Sequence, residues 1–135
     1  MQNQIKNRER VTKFAEVNTS EKEVNNMLDL VSQETDRLDS RFLESACGDG
    51  NFLIEILNRK LKILIKNFKK NQYEFERNSI LVIGSLYGID ILNDNITTAR
   101  ERIFDKFCKE YNGLFKESCD PNLVNSINCI IKKNV

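Results

Sequence analysis

The sequence predicts an α/β chain: a parallel sheet covered by helices, built like the first part of a doubly wound domain and interrupted before its third strand. Three observations carry this reading. A short apolar run, Phe42-Leu43, ends in Glu44 and leads through Gly48-Asp49-Gly50 into an amphipathic pattern from Asn51, which is the layout of a strand, a tight turn and a helix start. A second apolar run over residues 86–91 is nearly continuous, as strands buried on both faces are. Between and after these runs, apolar residues return at intervals of three and four, so helices join and follow the strands. Two strands do not make a stable open sheet. A partial domain over residues 11–135 is therefore expected, behind a polar segment, residues 1–10, that frays.

In chain order, Phe14 and Val17 anchor a mixed stretch over residues 11–17. Ser20, followed three residues later by Glu23, forms a capping box. Val24, Met27, Leu28 and Val31 then recur at helical spacing and predict a helix packed on the sheet. A polar connection over residues 33–40 leads to the first strand. After the glycine turn, Leu53, Ile56, Leu57, Leu61, Leu64 and Phe68 predict one long helix over Asn51–Phe68. Lys60, Lys62, Lys66, Lys69 and Lys70 gather towards its end. Cations there complement the helix dipole, and the group reads as a solvated face rather than a nucleic-acid patch.

Phe75, Ile80, Leu81 and Ile83 predict a further helix over residues 73–83, with Gly84 at its end. Beyond the second strand, Asn93 or Asp94 caps a helix whose core face is Ile96, Ala99, Ile103, Phe104 and Phe107. Asn112-Gly113 ends it. Asp120-Pro121 is a cap and first-turn pair, and Leu123, Val124, Ile127, Ile130 and Ile131 give the last helix its apolar face.

Composition narrows the chemistry. At 135 residues the chain is one domain or part of one. A net charge of +1 leaves no electrostatic footprint for nucleic acid in the total. There is no histidine, which removes the commonest general base and most zinc and nucleophile–histidine schemes. Cys47, Cys108, Cys119 and Cys129 lack the spacing of a metal knuckle or a redox motif. With no signal-peptide pattern at the amino terminus, a reduced, cytoplasmic setting is expected. No apolar run is long enough to cross a membrane.

The predicted layout brings three features to the carboxyl edge of the sheet, where ligands of open α/β sheets bind. These are the loop from Ala46 through Cys47, Gly48, Asp49 and Gly50 to Asn51, the strand-end acid Glu44, and Asp90 at the end of the neighbouring strand. A carboxylate in the last position can accept both hydroxyls of a ribose, and Ile91 can lie against an adenine face. A dinucleotide is disfavoured, because Leu53 stands where the third glycine of that fingerprint belongs and Asp49 repels a pyrophosphate. S-adenosyl-L-methionine has ribose and adenine without phosphate, and its ammonium and sulfonium are attracted to Glu44 and Asp49. Plainer readings stand beside this one. Cys47 is either a thiolate favoured by a helix start or a packing residue in the turn. Glu44 with Asp49 is an acid–base or metal pair only if further ligands join it.

Residues 42–53, Phe-Leu-Glu-Ser-Ala-Cys-Gly-Asp-Gly-Asn-Phe-Leu, resemble the cofactor-binding motif of adenine-specific DNA methyltransferases of restriction–modification systems. In that family the loop usually reads acidic-Pro-Ala-Cys-Gly-x-Gly-Asn-Phe. Tyr87-Gly-Ile-Asp-Ile91 is similar to the family's second motif, whose acid binds the ribose. Glu16-Val-Asn-Thr-Ser20 resembles the amino-terminal motif that closes over the methionine end, with Thr19 at the family threonine. The likeness covers about residues 10–104. It implies a Rossmann-like methyltransferase fold with Thr19, Glu44, Ala46, Cys47, Gly48, Asp49, Gly50, Asn51, Phe52, Asp90 and Ile91 as cofactor-binding positions.

The departures are specific. Ser45 replaces a proline, Asn18 and Ser20 replace the aromatic and proline that flank the family threonine, and residues 73–85 are an insertion. The family's catalytic Asn/Asp-Pro-Pro-Tyr/Phe, which holds the target amino group of a flipped base, does not occur. Asp120-Pro-Asn122 shares its first two letters and reads as a helix cap. The resemblance thus implies the S-adenosylmethionine-binding part of a DNA adenine methyltransferase, inactive by itself. It would reach DNA through a carboxyl-terminal part or another subunit. The alternatives are a non-catalytic cofactor-binding or regulatory partner of a modification enzyme, and an inactive remnant.

Overall fold

The Ser20 hydroxyl accepts a hydrogen bond from the Glu23 N–H (3.3 Å) and opens helix α1, Glu21–Asp29. A computed structural model of the chain describes residues 20–135. The expectations for residues 1–10 and 11–17 and for Thr19 lie outside the described residues. After α1 come a short α2 (Ser32–Thr35), strand β1 (Phe42–Glu44), helices α3 (Asn51–Phe68) and α4 (Gln72–Gly84), and strand β2 (Leu86–Gly88). Helix α5 (Asn93–Phe115), a 3-10 turn (Lys116–Ser118) and helix α6 (Pro121–Asn134) complete the order. The caps are chemical. Asn71 Oδ1 accepts from the Glu74 N–H at α4 (3.2 Å), and Asp120 Oδ1 accepts from the Asn122 N–H at α6 (2.9 Å), with Pro121 in the first turn.

The two strands pair in parallel, Phe42 opposite Leu86 and Glu44 opposite Gly88. Bonds beyond the ladder extend the pairing at both ends. Phe42 N–H donates to the Ser85 carbonyl (2.8 Å) and Ile89 N–H to the Glu44 carbonyl (3.0 Å). Helix α3 is the centre of the core. Its Leu53, Ile56, Leu57, Leu61 and Leu64 are buried, and it packs against α1, α4, α5 and β2. Helix α6 closes the other side, with Ile127 and Ile131 buried against α4, α5 and β2.

This overturns the expected fold class. Helix makes up 72% of the described residues and strand 5%, in one two-stranded sheet; the chain does not form the Rossmann-like α/β fold. The reason lies in the second half. The pairing ends with the two bonds of Ile89, so of the run at residues 86–91 only Leu86–Gly88 are strand. The long amphipathic segments that follow pack on α3, α4 and β2 as helices, and the fold is a helical assembly around a short parallel ladder.

Other boundaries shift for local reasons. Helix α5 passes through Asn112-Gly113 to Phe115, because Tyr111 stacks on Phe75 and Phe115 meets it edge-on, with ring centroids 6.1 and 5.1 Å away. That aromatic cluster outweighs a glycine's cost of about 1 kcal/mol in a helix. Neither Asn93 nor Asp94 caps α5; Leu92 holds the cap position, its own N–H bonded to Asp90 Oδ1 (2.8 Å). Lys60 is not part of a solvated face. It is fully buried, and its ammonium donates to the carbonyls of Leu38 (3.3 Å) and Ser40 and to Ser85 Oγ (2.8 Å). It also lies 5.2 Å from the centre of the Phe42 ring.

Candidate functional site

The glycine turn is built by backbone geometry before any side chain acts. Gly48 and Gly50 have φ of +56° and +96°, the left-handed region that favours glycine. The Gly50 N–H closes the turn on the Cys47 carbonyl (3.0 Å), and the Cys47 N–H donates across to the Ile89 carbonyl (2.9 Å). Gly50 is also the cap residue of α3, and it must be small for a second reason: a Cβ there would stand 3.1 Å from Ala99 Cβ on α5. Gly88 of β2 is pressed in the same way, its missing Cβ lying 2.8 Å from Leu53 Cδ1 and 3.2 Å from Cys47 Sγ. Strand, turn and two helices therefore meet with no slack.

Each strand-end acid is tied into this frame. Glu44 accepts from the Ala46 N–H (3.1 Å). Asp90 takes the Gly48 N–H on Oδ2 (2.9 Å) and the Leu92 N–H on Oδ1, with the Asn95 amide 3.4 Å from the same oxygen. Asp49 does not stand open to a cation: Arg102 of α5 reaches it at 3.6 Å and donates to the Asp49 carbonyl (3.0 Å) and Asn51 Oδ1 (2.8 Å). Arg102 is a site residue that the sequence does not reveal, since a charge midway along a helix carries no sign of its partner. Gly88 and Ala99 are two more.

Cys47 is buried. Burial first, then the carboxylates of Asp90 and Glu44, push its thiol up to about 11. The thiolate that nucleophilic catalysis needs is disfavoured, and the residue packs against Gly88. Among the described residues no group of three or more His, Cys, Asp or Glu can hold a metal ion.

The structure thus gathers Glu44, Ala46, Cys47, Gly48, Asp49, Gly50, Asn51 and Asp90 around one turn. Beside it opens a pocket of about 210 Å³. Its walls are Met27, Leu28 and Val31 after and within α1, Phe52 and Ile56 of α3, and Phe42, Leu43 and Glu44 of β1. The lining is apolar apart from one carboxylate, Glu44. Past the end of β2, Ile89 and Ile91 stand 56% and 76% exposed, an unusual placement for two isoleucines.

Compared with protein-family models, curated proteins and solved structures, the chain matches none. Among the described residues, no helix is long and apolar enough to cross a membrane.

Proposed function

We propose that the chain binds S-adenosyl-L-methionine across the glycine turn, as the cofactor-binding part of a site-specific DNA adenine methyltransferase. The observation that carries the reading is the apolar pocket with Glu44 as its single charged wall, opening beside that turn. The methionine end of the ligand carries a sulfonium, an ammonium and a carboxylate, net +1, so its alkyl chain suits apolar contact and its cations suit one nearby anion. Ile89 and Ile91, exposed past β2, offer apolar contact for adenine in this reading, and Asp90 between them supplies a carboxylate for the ribose hydroxyls. The wording of residues 42–53 and 87–91 supports the same ligand. Asp49 has its charge answered by Arg102, so Glu44 is the acid left to the cation.

The chain's own contribution is binding and orientation. The sequence contains no Asn/Asp-Pro-Pro-Tyr/Phe, so groups to hold the target adenine must come from another polypeptide segment or subunit. Alone, the chain is expected to bind cofactor and transfer nothing. Calorimetric titration with S-adenosylmethionine tests the first half. Saturable one-site heat is expected, at least tenfold weaker in Glu44→Gln, which keeps an acceptor for the Ala46 N–H. No saturable heat in the native chain, or equal affinity in the variant, would sink the reading. Incubation with labelled cofactor and duplex DNA tests the second half; label appearing in DNA would refute it.

A further inference from the structure

The corner where α3 turns into α4 carries Lys66, Lys69, Lys70 and Arg77 within twelve residues, all exposed. A helix dipole accounts for only part of this. Lys66 lies in the last turn of α3, but Lys69 and Lys70 lie beyond its last residue, Phe68. Arg77 sits in the second turn of α4, at the end of a helix that favours anions. The structure adds what the sequence does not show, the direction of the two acids in the same segment. Glu76 is turned inward, its carboxylate taken by the Tyr111 hydroxyl and by Gln72 Nε2 (3.1 Å). Glu74 accepts from Asn78 Nδ2 (3.3 Å) and holds Arg77 only at 3.9 Å. Lys66, Lys69 and Lys70 have no ion pair among the described residues. Tyr73, between Lys70 and Arg77 in the chain and one helical turn before Arg77, is 71% exposed, an aromatic ring presented to solvent.

We infer that this corner is a nucleic-acid contact surface: the three lysines and Arg77 lie on the phosphates of a duplex, and Tyr73 packs against its sugar–base edge. Multiple unpaired cations around one exposed aromatic are what phosphate-backbone binding uses. An anionic membrane fits less well, because the exposed apolar residue nearest along α4 is Leu81, two turns beyond Tyr73, and insertion needs a broad apolar face. Helix α3 has 18 residues, so the corner lies about 27 Å from the glycine turn. The contact is therefore sequence-independent anchoring, separate from the cofactor site. It does not depend on cofactor binding.

Fluorescence anisotropy with a labelled 30-base-pair duplex of arbitrary sequence, without cofactor and over a series of NaCl concentrations, tests this. Substituting Lys66→Gln, Lys69→Gln and Lys70→Gln together is expected to weaken binding at least tenfold and to lower the log–log salt slope by about 2 to 3. Tyr73→Ala is expected to weaken it with the slope unchanged. Lys132→Gln with Lys133→Gln, at the end of α6, is expected to leave it as it was. Circular dichroism checks that every variant is folded. The inference is overturned if the native chain shows no binding at low salt, or if the α6 variant loses as much affinity as the triple variant. Tighter binding to phosphatidylserine vesicles than to the duplex overturns it in favour of a membrane.

Discussion

Lys60→Met is the substitution whose outcome follows most directly from the fold. Lys60 is buried, with two carbonyls and a hydroxyl as partners and no carboxylate in contact. Burial lowers its pKa from 10.5 to about 8, partly offset by Asp39 and Glu34 and reinforced by Arg37. The sign follows. Below about pH 8 the side chain is protonated in both states, and the fold bears the full cost of the buried charge. Between about 8 and 10.5 the folded amine has lost its proton and the unfolded one has kept it, so raising the pH stabilises the fold. Across the span from about 8 to 10.5 the gain is about 3 kcal/mol, at ~1.4 kcal/mol per pKa unit. Methionine keeps the apolar stem and cannot titrate. Urea unfolding followed by circular dichroism at steps from pH 7 to 10.5 is expected to show the native chain gaining about 3 kcal/mol relative to Lys60→Met. The other titrating groups are common to both proteins and cancel. Parallel stability curves across that range would refute the reasoning, because they would mean the ammonium is as well solvated inside as out.

The three glycine positions separate by contact. Gly88→Ala drives a methyl to 2.8 Å from Leu53 Cδ1 and is expected to cost about 1–3 kcal/mol. Gly50→Ala meets both a φ of +96° and Ala99 and is expected to cost about as much. Gly84→Ala meets nothing within 4 Å at the end of α4 and should gain about 0.4–1 kcal/mol. Thermal unfolding of the three variants checks the order, and a loss at Gly84 equal to that at Gly88 would contradict it. Alkylation by iodoacetamide at pH 8 is expected to modify exposed Cys129 first and to spare Cys47, buried and raised to about 11, until the chain unfolds. Peptide mass mapping over time distinguishes them.

The sequence was most informative where one local signal met no competitor. Glycine followed by apolar spacing from Leu53 to Phe68 marked both ends of α3, and Asp120-Pro121 marked the start of α6. The Asn112-Gly113 stop was overruled by the aromatic cluster of Phe75, Tyr111 and Phe115, a contact between residues about forty apart. The fold class failed because short apolar runs signal strands without saying how many residues stay in the ladder. Lys60 was readable in principle. It stands three residues after Leu57 and four before Leu64, inside the apolar stripe of its own helix, yet its charge grouped it with the exposed lysines that follow. In the site, the turn and the two strand-end acids were legible as a set. That Asp49 pairs with Arg102 was not, since nothing local links two residues so far apart.

Asp90 has a consequence for rates as well as affinity. Its carboxylate already holds the Gly48 and Leu92 N–H groups, one from the glycine turn and one from the start of α5. If a ribose binds here as proposed, and its hydroxyls displace those donors rather than use the remaining lone pairs of the carboxylate, association would wait on a brief opening of the turn. Binding of that kind speeds up with ligand concentration only until the opening step limits it. The same carboxylate that closes the loop in the free protein would then act as its gate.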